Sequence, residues 1–151
     1  MTLYSIALFL HIVGAVLLFV LLTVEGFTLR QGTTGARFNR TVGPISALLI
    51  LVPGLYMVAA GVGWAAWVAV GIVSWVLIAV IGVFTGISVL RGRLSARTAS
   101  ISWAARVGMA VGVVFVMTVK PGLLAATAAV IAGALVGLAG GRVAARPVEL
   151  A

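Results

Sequence analysis

The chain has 151 residues, of which 64% are hydrophobic and only 8% charged: ten Lys or Arg against two Asp or Glu. A soluble domain carries about 25% charged residues, so these few cannot cover a water-facing surface, and a soluble globular enzyme is excluded. There is no cysteine, which excludes disulfides, thiolate metal sites and iron–sulfur clusters. The only carboxylates are Glu25 and Glu149, too few for a paired-acid hydrolase or a carboxylate-rich Mg or Ca site.

Uncharged apolar runs of about 18 or more residues mark transmembrane helices. The first run here is Met1 to Val24, and its positive charges (Arg30, Arg37, Arg40) follow it rather than precede it. A signal peptide has the opposite arrangement and a shorter apolar stretch. The run therefore predicts an uncleaved first helix over about residues 3–25, with its amino end outside. A polar loop follows, Gly26–Gly43, with Gly32, Gly35 and the three Arg.

The next uncharged stretch, Thr41 to Leu90, would be about 75 Å long as a single helix. That is twice what a bilayer needs, so two helices are expected, at about 44–60 and 66–90. The break falls at Gly61-Val62-Gly63-Trp64, with Trp64 and Trp67 flanking it as interface aromatics do. A second basic loop carries Arg91, Arg93, Arg97 and Arg106. Helix four is expected at about 103–119 and helix five at about 123–140, separated by Lys120-Pro121-Gly122. Proline removes a backbone donor and glycine tolerates a turn, and one helix through this region would outrun the hydrocarbon core.

The fold class expected is therefore all-α: one integral membrane bundle of five transmembrane helices, amino end outside and carboxyl end cytoplasmic. Charge counting agrees, because five crossings put all nine Arg on the cytoplasmic side and leave Lys120 alone outside. The net charge of +8 thus reads as topology and not as nucleic-acid binding. The chain is expected in a bacterial inner membrane, with the lipid bilayer as its first partner and anionic lipids against the Arg loops. Small residues one turn apart (Gly82 and Gly86; Gly108 and Gly112; Gly133, Gly137 and Gly141) predict close helix packing, within the chain or in a homo-oligomer or larger membrane complex. Pro53-Gly54 predicts a kink in helix two.

Ionisable groups inside a membrane are costly, so each is a candidate for function. His11, the only histidine, lies about 12 Å into helix one. It either hydrogen-bonds across helices or ligates haem or copper through imidazole nitrogen. Helix direction brings Met57 and Met117 to a similar depth, as packing residues or as soft ligands. Lys120 either snorkels to the headgroups or holds an anionic group. Glu25, at the end of helix one, is expected to pair with an Arg of the basic loops. The candidate cofactor-binding set is His11, Met57, Met117 and Lys120; no catalytic residue and no carboxylate metal site is identified.

These residues carry a resemblance. His11 with Gly14-Ala15, Pro53-Gly54-Leu55-Tyr56 before the Trp-flanked turn, and Met117-Thr118-Val119-Lys120-Pro121-Gly122-Leu123 together resemble a family of small bacterial integral membrane proteins of unknown function, distantly similar to the copper-resistance D group. A looser likeness is to the haem-binding membrane protoporphyrinogen oxidase, which implies His11 as haem ligand and Lys120 as a second essential position. The chain departs from those relatives in lacking a second histidine. The function expected is a non-catalytic membrane component for assembly or ligand binding, the alternative being a haem- or copper-linked redox or transport protein using His11.

Overall fold

The structure is a computed structural model describing residues 2–31 and 36–144; the readings that involve Gly32, Gly35, Arg146 and Glu149 lie outside the described residues, as do the side chains of Arg30 and Arg37. The described residues form five helices and no strand: α1 Leu3–Arg30, α2 Ala36–Met57 continued by a π-turn at Val58–Val62, α3 Ala66–Leu90, α4 Ala96–Val119 and α5 Leu123–Ala144. All five are long and apolar enough to cross a membrane. The chain divides into two compact units, one built on α1 and α2 and the other on α3, α4 and α5.

Four helices start or stop elsewhere than the charge pattern predicts; α5 is one, running four residues past its expected end to Ala144. α1 continues five residues past Glu25, so that Glu25 lies inside the helix and not at its end. α2 begins at Ala36 and contains both Pro44 and Pro53. Pro44 therefore does not open the helix; it costs one backbone bond within it, which membrane helices tolerate. α4 begins at Ala96, because Ser95 caps it: the Ser95 hydroxyl accepts the Thr98 N–H at 3.2 Å. The basic loop shrinks to residues 91–95, and Arg97 and Arg106 are helical. Arginine and alanine are good helix formers, so a run of them after a serine cap extends the helix.

The breaks fall where glycine and proline put them. After the π-turn, Gly63 takes φ 71° and its N–H bonds to the Val58 carbonyl at 3.0 Å. Lys120 closes α4, and Leu123 opens α5 after Pro121-Gly122.

Within the second unit, glycine decides how closely helices approach. Cβ atoms at Gly108 and Gly133 would each overlap the other's carbonyl oxygen, and a Cβ at Gly137 would overlap the carbonyl of Ala104. A Cβ at Gly112 would lie 2.8 Å from the Val130 backbone, and one at Gly141 2.9 Å from the Ala104 side chain. The small residues of α4 and α5 thus bring the two backbones of one chain together. Gly86 of α3 meets nothing within 4 Å.

Candidate functional site

His11 lies on α1 in the first unit and faces α2. Its Nδ1 is 2.7 Å from the Ile50 carbonyl oxygen. A carbonyl only accepts, so Nδ1 donates this bond and Nε2 takes no part in it. Two features of α2 make the contact possible. Pro53 lacks an N–H, so the Leu49 carbonyl loses its helical donor and the turn that carries Ile50 is loosened. Gly54 leaves room for the ring: a Cβ there would lie 3.1 Å from Nδ1 and 3.2 Å from Cε1. The imidazole is set by the Pro-Gly pair opposite it.

One turn further along, the bond is returned. Ser46 of α2, 2% exposed, donates its hydroxyl to the Gly14 carbonyl of α1 at 2.9 Å. Gly14 is where the backbones meet, since a Cβ there would come within 2.8 Å of Ile50 N and Leu49 C. Met57 is buried three residues beyond Gly54, hence one turn from it on the same helix face. Ala7, one turn before His11 on α1, is also buried.

Met117 and Lys120 belong to the second unit. The Met117 terminal methyl fills the notch left by Gly71, so closely that a Cβ at Gly71 would overlap it. Lys120 is in the left-handed conformation, φ 53° and ψ 51°, and its Nζ stands 5.6 Å from the centroid of the Trp67 ring. Each of the four candidate side chains therefore has a local role: His11 bonds, Met57 and Met117 pack, and Lys120 caps and contacts an aromatic ring. Among the described residues, no group of three or more His, Cys, Asp or Glu side chains is arranged to hold a metal ion.

A fifth residue stands outside that candidate set. Arg106, which its charge alone would group with the basic loop, lies ten residues inside α4 and is 3% exposed. That is about 15 Å along a helix of some 36 Å, close to its middle. Its Nη1 rests where α3 has no side chain: a Cβ at Gly82 would be 2.9 Å away. One turn before Arg106, the Ser102 hydroxyl is 2.9 Å from that of Thr85, which is buried, as is Ser88. A hydroxyl pair and a seated guanidinium thus line the α3–α4 contact. Two features of the sequence point to this: Ser95, whose cap extends α4 around Arg106, and Gly82, whose missing side chain admits the guanidinium.

Compared with known protein families, curated proteins and solved structures, the chain matches none.

Proposed function

We propose that the chain is a multi-pass protein of a bacterial inner membrane that serves as a non-catalytic component, for assembly or ligand binding. The observation that supports this reading is the employment of its polar side chains in holding helices together: His11 to Ile50, Ser46 to Gly14, and Thr85 to Ser102. Orientation follows from charge. Arg106 is inside a span; of the other eight Arg, the seven among the described residues lie near helix ends or in connecting segments. Five alternating crossings put these seven on one side and Lys120 on the other, so the positive-inside rule favours an amino end outside and a carboxyl end in the cytoplasm. On that side the arginines meet anionic lipids. Reporter fusions test the topology: one at Gly63 should report outside and one at Ala151 cytoplasm, and either result reversed removes the orientation.

A second reading has one observation in its favour, the bond from His11 Nδ1 to the Ile50 carbonyl, which leaves Nε2 unused. With Nδ1–H bonded to Ile50, the ring is oriented as ligating histidines are, by a carbonyl on its other nitrogen. That fits a haem or copper ligand, in keeping with the resemblance to the copper-resistance D group. The test is an absorption spectrum with metal analysis of detergent-purified protein, expressed with haem precursor and copper supplied, for wild type and His11→Ala. A Soret band or stoichiometric copper lost in the variant establishes the second reading. A colourless, metal-free wild type leaves the first.

A further inference from the structure

The chain's one lysine occupies a backbone conformation that suits it poorly. Lys120 is the only non-glycine residue with positive φ among the described residues, and its N–H bonds to the Val116 carbonyl at 2.9 Å to close α4. The left-handed region crowds the Cβ of an L-residue, and helices that end this way usually do so with glycine. Pro121 also disfavours a helical residue before it, so the helix must end here, but nothing in the backbone asks for lysine.

What lysine adds over glycine is an ammonium at a fixed place. Trp67, the second residue of α3, holds Nζ 5.6 Å from its ring centroid. A cation–π contact is electrostatic and takes none of the three N–H donors. Lys120 is exposed, and no carboxylate occurs among the described residues of this unit. The surroundings are apolar: Val119, Leu123 and Leu124 are all exposed, Leu124 by 87%. A positioned cation with free donors, set beside exposed apolar side chains at helix ends, matches an amphiphile whose head is anionic.

We propose that Lys120, positioned by Trp67, binds the phosphate of a phospholipid headgroup where α4 ends and α5 begins, and that lysine holds this strained position for that purpose. The proposal rests on the reading of the chain as membrane-spanning. The experiment is native mass spectrometry of the full chain in mild detergent, titrated with phosphatidylglycerol, with diacylglycerol of the same acyl chains, and with inorganic phosphate. Wild type should retain phosphatidylglycerol, release diacylglycerol, and keep its lipid in millimolar phosphate. Lys120→Gln should bind phosphatidylglycerol about fivefold more weakly, the loss of one interfacial cation, with Trp67→Leu in between. Lys120→Gly should lose the lipid equally and yet melt higher, because glycine relieves the left-handed strain.

Equal retention by wild type and Lys120→Gln overturns the proposal. So does displacement by inorganic phosphate, which assigns the position to a free anion, and so does a lower melting point for Lys120→Gly, which removes the strain argument. A chain recovered from cells in the soluble fraction overturns the membrane reading instead. One that sediments with membranes but fails the lipid titration overturns the lipid site alone.

Discussion

The contact between α4 and α5 offers the most direct test of how this protein holds together. Gly108→Ala would place a methyl onto the Gly133 carbonyl and 3.2 Å from Gly137 N. Gly133→Ala would do the same to the Gly108 carbonyl, and come within 3.5 Å of Gly112 N. Both obstacles are backbone atoms and cannot rotate aside, so the helices must part by about 1 Å to restore van der Waals distance. A gap of that size forfeits up to about half of each contact's attraction, itself about 0.1–0.2 kcal/mol per atom pair. With on the order of 20 pairs along the seam, the loss is about 1–2 kcal/mol, within the usual range for overpacking. Lipid gives no hydrophobic drive to offset it. The assay is unfolding in detergent by SDS titration, followed by the fluorescence of the tryptophans. Gly140→Ala is the control, because its Cβ meets nothing within 4 Å and alanine favours helix. If Gly108→Ala and Gly140→Ala unfold at the same SDS fraction, close glycine packing is not what binds α4 to α5.

Two further predictions concern polar groups. Arg106→Ala should destabilise by about 2 kcal/mol or more, because it empties the space that a 3%-exposed side chain fills against Gly82 and leaves a cavity there. Arg91→Ala, which takes the same charge from an exposed turn, should change the unfolding midpoint by less than about 0.5 kcal/mol, and equal effects would place Arg106 outside the packed interior. Gly54→Ala should press on His11, whose Nδ1 and Cε1 would lie 3.1 and 3.2 Å from the new methyl. Nitrogen NMR of labelled histidine should then show loss of the Nδ1–H tautomer, at a cost of about 1 kcal/mol; an unchanged spectrum would mean that the ring does not depend on the notch.

The number of helices was legible because the length of an uncharged run is a direct measure of bilayer crossings. The bounds of α3, Ala66–Leu90, follow from the same property, with a glycine break before it and Arg91 after. Charge misleads where it and the helix end part company. Arg97 reads as loop because it is charged, yet one serine hydroxyl on the Thr98 N–H is enough to start α4 ahead of it. The histidine's surroundings were partly legible, in that Pro53-Gly54 advertised a weakened helix turn. That Ile50 would be the acceptor was not, because it depends on the register of α1 against α2, and Gly14 sets that register by admitting the α2 backbone.

Register also makes α4 the organising element of the second unit. At about 100° per residue, Ser102 and Arg106 share one face of the helix, while Ala104, Gly108 and Gly112 lie roughly 130° away. The first face meets Gly82 and Thr85 of α3; the second meets Gly133, Gly137 and Val130 of α5. One contact is polar and seats a charge, and the other is dry and made of bare backbone. A charge inside a span is tolerated only where its surroundings are fixed, and it is the dry contact with α5 that can fix α4 without competing for the guanidinium. Parting α4 from α5 should therefore disturb Arg106 as well. The double variant Gly133→Ala with Arg106→Ala should cost less than the sum of its single changes, by at least about 0.5 kcal/mol, as coupled sites do. Strict additivity would mean that the two faces of α4 act independently.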